Sequence, residues 1–173
     1  GQHSPFLGRI AEGLAARRLD VVTFDFPYMA AGRRVPDRAP VLGARYRAVI
    51  DVAGRTMASA RRALFIGGKS MGGRMATHVA ADPSAPPLAV LGLVLLGYPL
   101  HPPGRPDERR DAHLGAIGRP MLIVQGSRDA FGTPAELGPI LARLSPRPTL
   151  HVVEGGDHSF TIGRRAGHAP PAI

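Results

Sequence analysis

Apolar positions along the chain switch between a helical period and short continuous runs. Ser4-Pro5 reads as a helix cap followed by proline in the first turn, and Phe6, Leu7, Ile10 and Leu14 then share one helical face. Val21 to Phe26 is a strand-like run closed by Pro27, and the Arg/Pro/Gly-rich stretch from Ala31 to Pro40 is a loop. Leu42, Tyr46, Val49, Ile50, Ala53 and Met57 recur at helical spacing, which predicts a second helix. Ala63 to Ile66 predicts a short strand, and Met71 to Ala81 a helix that stops at Asp82-Pro83. Val90 to Leu96 reads as a buried central strand, followed by a polar, proline-rich excursion from Tyr98 to Asp111. Met121 to Gln125 is the next strand, and Thr133-Pro134 caps a helix with apolar positions Leu137, Ile140, Leu141 and Leu144. Thr149 to Val153 is the last strand. Strands alternating with helices predict an α/β architecture with a mostly parallel sheet.

Composition narrows the chemistry. At 173 residues the chain has the length of one domain, taken here as residues 1 to 173, burying roughly 70% of its unfolded surface. It has no run of 18 apolar residues, so no membrane span, and no secretory pattern at its start, so the cytoplasm is the expected location. The absence of cysteine excludes disulfides, thiolate metal sites and a cysteine nucleophile. No cluster of His, Asp and Glu has metal-ligand spacing, and no cofactor is expected. The formal charge of +9 raises nucleic acid as a partner. However, the Arg pairs at 17/18, 33/34, 61/62, 109/110 and 164/165 are scattered, with no basic stripe and little aromatic interleaving, so no nucleic-acid partner is expected.

The stretch FIGGKSMGGR, residues 65 to 74, admits two readings. A phosphate-binding loop needs a glycine five positions before Gly68, where Ala63 stands, and it needs as loop the residues that form the strand. Gly68-Lys69-Ser70-Met71-Gly72 instead fits Gly-x-Ser-x-Gly, a nucleophile elbow, in which a serine is held in strained geometry between strand and helix. An acid and then a histidine should follow, each after a later strand. Asp129 in QGSRDAFG follows the strand ending at Gln125, and His158 in EGGDHSF follows the strand ending at Val153. Both lie where open α/β sheets carry their sites.

GGKSMGGR, LLGYPLHPPGR, QGSRDAFG and DHSF together resemble the alpha/beta hydrolases of the KANSL/Tex branch, relatives of the dienelactone hydrolases. The similarity runs from Gly1 to about Thr161. It implies the alpha/beta hydrolase fold, a three-layer sandwich, with Ser70 as nucleophile, Asp129 as acid and His158 as base. Dienelactone hydrolases proper carry cysteine where Ser70 stands. In the family a strand runs into a His-Gly-x-Gly-like loop ahead of the point where this chain opens, and a final helix follows the histidine. The resemblance therefore implies a partial domain lacking that N-terminal strand and the C-terminal helix.

The expected activity is transfer of an acyl group to water from a small-molecule ester, thioester or lactone. The Met71 N–H supplies one oxyanion donor, and Gln2, a remnant of the N-terminal loop, the other. Lys69, the single lysine, is expected to face solvent or substrate rather than serve as a second base. His101 and His113 border the cleft or serve structure, His78 is a surface or packed residue, and Asp157 shapes its turn. The rival reading is a non-catalytic, hydrolase-like interaction module. Oligomeric state is not encoded in these motifs.

Overall fold

The computed structural model of the chain describes residues 2, 4–84 and 89–163. Four parallel strands lie in the order in which they occur in the chain: β1 (Phe65–Lys69), β2 (Gly92–Leu96), β3 (Met121–Gly126) and β4 (Thr149–Val153). Ile66 pairs with Leu93, Leu95 with Ile123, and Val124 with His151. The inner strands are apolar on both faces, as a sheet flanked by helices requires, and Leu93, Leu95 and Ile123 are almost wholly buried.

The flanking helices follow the predicted periodicity. α1 (Pro5–Ala15) is capped by the Ser4 hydroxyl, which accepts from the Leu7 N–H, yet its apolar face leaves Ile10 and Leu14 exposed. After the single turn α2 (Pro27–Ala30), the long α3 (Ala39–Thr56) buries Leu42, Tyr46, Ile50 and Ala53, a face repeating every three to four residues. α5 (Met71–Ala81) packs on β1 and β2 and against α3. α6 (Pro134–Leu141) opens with a reciprocal capping box between Thr133 and Glu136 and buries Leu137 and Leu141. The short α4 (Ala58–Arg62) has no apolar stripe and was not foreseen from the sequence. Among the described residues no helix is long and apolar enough to cross a membrane.

Three expectations need correction. Residues 21–26 form no strand. A strand is defined by its hydrogen-bonded neighbour, and among the described residues none runs beside this segment. It is held instead by Phe24 and Phe26, whose rings pack at 5.0 and 6.4 Å from Tyr46. Second, β1 begins and ends later than Ala63 to Ile66, taking in Gly67, Gly68 and Lys69. Glycine is tolerated there because the chains approach closely: a Cβ on Gly67 would sit 1.9 Å from the Val94 carbonyl oxygen. Third, the excursion after β2 starts buried, with Tyr98 and Leu100 in the core before the chain turns outward. The expectation of no final helix falls on residues 164–173, outside the described residues.

Candidate functional site

Ser70 joins the end of β1 to the start of α5, and the turn between them leaves it at φ 52°, ψ −118°. That conformation is rare for a residue with a side chain and costs about 1–3 kcal/mol. It persists because both flanks are fixed. The Ser70 N–H donates to the Leu96 carbonyl and the Ser70 carbonyl accepts from the Arg74 N–H. Gly73 lies against the Gly68 backbone so closely that a Cβ would meet the Gly68 oxygen at 2.7 Å, whereas a Cβ on Gly72 would meet open space. The close packing therefore rests on Gly68 and Gly73.

The turn aims the serine hydroxyl at the loop after β4. His158 Nε2 lies 2.8 Å from Ser70 Oγ, and its Nδ1 lies 2.8 and 3.0 Å from the two Asp129 carboxylate oxygens. The structure thus joins Ser70, His158 and Asp129, which lie far apart in the sequence, in one hydrogen-bonded line at the carboxyl ends of β1, β3 and β4. With the carboxylate accepting from Nδ1–H, Nε2 is left to accept the serine proton. Phe131 covers the imidazole, ring centroids 4.1 Å apart, and Asp129 is 1% exposed.

The carboxylate is held from behind by a residue that sequence reasoning missed. Gln125, fully buried at the end of β3, donates from Nε2 to Asp129 Oδ2 at 2.8 Å and to the Gly132 carbonyl at 2.7 Å. Its Oε1 accepts from the Tyr98 N–H at 2.8 Å. The Phe131 N–H donates to Asp129 Oδ1 at 2.8 Å. The available signal was a polar residue closing an otherwise apolar strand.

The other candidates separate. Met71 opens α5, where the first backbone N–H groups have no acceptor within the helix. The Gln2 N–H, by contrast, is spent on the Asp25 carboxylate at 2.7 Å. Lys69 is half-buried, and its ammonium donates to the His158 carbonyl and lies 5.2 Å from the Phe160 ring centroid. Burial pushes its pKa down, opposed by the Asp129 and Asp157 carboxylates. His101 is buried, with Nδ1 2.8 Å from the Pro102 carbonyl and Nε2 3.1 Å from Glu136, so both ring nitrogens are engaged in holding the loop to α6. Asp157 shapes its turn, accepting from the Ser159 and Thr161 N–H groups. His78 and His113 stack on each other at 3.8 Å. Among the described residues no group of three His, Asp or Glu is arranged to hold a metal ion.

Comparison with known proteins agrees with this architecture. An alpha/beta serine hydrolase without a lid from Xanthomonas campestris superposes with a TM-score of 0.72 at 22% identity, covering 92% of this chain and 67% of that one. An alpha/beta serine hydrolase homologue from Coxiella burnetii gives 0.68 at 18% identity, covering 88% and 67%. A dienelactone hydrolase from Anabaena variabilis gives 0.66 at 21% identity, covering 92% and 72%. At these identities the likeness is one of fold. The sequence itself matches the alpha/beta hydrolase domain family over residues 1–171, and the chain belongs to that family.

Proposed function

We propose that the chain is a serine hydrolase of the esterase type, close to the KANSL/Tex-like branch, that cleaves a small ester, thioester or lactone through an acyl-enzyme on Ser70. The observation that carries the reading is the unbroken line from Ser70 Oγ through His158 to the buried Asp129 carboxylate, with 2.8 Å at each of its two links. His158 Nε2 takes the hydroxyl proton as Oγ bonds to the substrate carbonyl carbon, and the carbonyl electron pair moves onto oxygen. Asp129 keeps Nδ1 protonated and stabilises the imidazolium. The Met71 N–H stabilises the oxyanion, and Gln2 would join it only by leaving Asp25. His158 then gives its proton to the leaving group as the carbon–leaving-group bond breaks, and water repeats the sequence to free Ser70.

Intact-mass measurement after treatment with a fluorophosphonate tests this. The expected outcome is a single adduct on the wild-type chain, none on Ser70→Ala, and labelling of His158→Ala slowed by at least about 1000-fold. A folded wild-type chain that takes no adduct overturns the proposal in favour of a non-catalytic interaction module.

A further inference from the structure

Lys69 lies next to the serine, yet its side chain reaches away to the loop that carries the histidine. Its Nζ donates to the main-chain carbonyl of His158 itself. Two aromatic rings flank the ammonium, Phe160 at 5.2 Å and Phe6 at 6.0 Å, and these rings stack on each other with centroids 5.6 Å apart and planes 17° apart. The third wall is Gly97, at φ 63°, where a Cβ would sit 3.2 Å from Lys69 Nζ and 3.4 Å from the His158 carbonyl oxygen. Four segments therefore meet at one cation: the start of α1, the end of β1, the turn after β2 and the loop after β4.

Phe160 gives an independent sign that the loop is held under load. It sits at φ 61°, a genuine outlier for a bulky residue, and persists only if its surroundings over-determine it. Those surroundings are the Asp157 turn on one side and the Phe6–Lys69 stack on the other.

We infer that Lys69 is a positioning residue, a cationic clamp that fixes the main chain of His158 and thereby the aim of its imidazole at Ser70. The inference adds to the hydrolase reading and rests on it for its rate measurement, but the clamp itself is read without turnover. A shift of about 1 Å in a catalytic group can lower a rate by roughly 100-fold. The side-chain amine touches neither the reacting hydroxyl nor the imidazole nitrogens, so it acts through the loop.

Lys69→Met keeps the length and apolar stem while removing the donor and the charge. Backbone hydrogen exchange by mass spectrometry is expected to rise about tenfold over residues 157–161 while β1 and β2 keep their protection. The fluorophosphonate labelling rate falls by about 10–100-fold, and with p-nitrophenyl acetate kcat falls while KM is unchanged. Lys69→Arg, which retains charge and donor, recovers most of the loop protection and guards against a folding defect in the first variant. Wild-type exchange over residues 157–161 in Lys69→Met overturns the clamp, and a raised KM at constant kcat would assign Lys69 to the substrate instead. If the wild type takes no fluorophosphonate, the hydrolase reading fails, yet the exchange comparison still decides the clamp.

Discussion

Gln125 holds the buried Asp129 carboxylate from behind and was the contact least visible beforehand. Its amide gives both protons to Asp129 and Gly132 and accepts from Tyr98, so a single side chain ties together the turn after β2, the carboxylate and the approach to α6. Gln125→Met preserves volume but leaves the buried Tyr98 N–H and Gly132 carbonyl without partners. Each orphaned group costs about 1–3 kcal/mol, so the unfolding free energy is expected to fall by about 2–4 kcal/mol in a urea titration. Fluorophosphonate labelling should slow as well, since Asp129 loses one of the donors that fix it. The hydrogen-bonded line of Ser70, His158 and Asp129 was legible because each residue falls in a fixed order along the chain and just after a strand. Gln125 was not, since a buried amide announces itself only through partners that folding brings to it. The roles of Lys69 and His101 stayed open for the same reason: a charged or polar residue near a motif reads as a ligand contact or as a structural one until its partners, the His158 carbonyl and Glu136, are known.

At the scale of elements, helices were read best, because a helix announces its buried face locally. Leu42, Tyr46, Ile50 and Ala53 are the core face of α3, and the α5 limits Met71–Ala81 match the apolar pattern and the Asp82-Pro83 stop. Residues 21–26 show the converse, since apolar composition licenses a strand but only a neighbour makes one. The seam between α5 and the 3-10 turn Leu114–Ala116 makes a separate prediction. Thr77 on α5 is fully buried and gives its hydroxyl proton to the Arg74 carbonyl at 2.7 Å, so at 2.8 Å it accepts from His113 Nε2–H. Burial, then the stacked His78, then Arg74 push the His113 pKa down to about 4, with only Asp111 opposing. His78 is shifted the same way by burial and Arg74. Between pH about 4 and about 6.5 the unfolded chain therefore binds a proton at His113 that the folded chain refuses, and stability rises with pH across that window. Melting temperature should drop between pH 7 and pH 4.5, and by less in His113→Gln, whose amide can still donate to Thr77. Equal losses in both would show that His113 does not titrate with folding. Carboxylates that also lose favourable partners in acid contribute alike to both proteins and cancel in the comparison.

Across the whole molecule the sheet has two edge strands, β1 and β4, and β1 pairs only with β2 among the described residues. Edge strands template association unless they are blunted. Here one device is visible: the Tyr46 hydroxyl, from α3, donates to the Gly67 carbonyl and accepts from the Gly67 N–H, satisfying both main-chain groups at the middle of the strand. Burial keeps Tyr46 in its neutral form well above the ordinary phenol range, with the Gly67 hydrogen bond opposing the shift. On the same strand as Gly67, Phe65 is 58% exposed. The net charge of +9 opposes close approach of two copies, but at high salt that repulsion is screened within a few ångström. Self-association should therefore increase with both protein concentration and salt. Light scattering coupled to size exclusion, at 50 mM and 1 M salt, is expected to show a mass that grows with salt for the wild type. Phe65→Lys should remain near monomer mass, because the added charge lies on the open edge. Tyr46→Phe should associate more strongly, because it frees the Gly67 donor and acceptor. A mass that responds to none of these changes would place the association away from β1 and leave Tyr46 with a packing role alone.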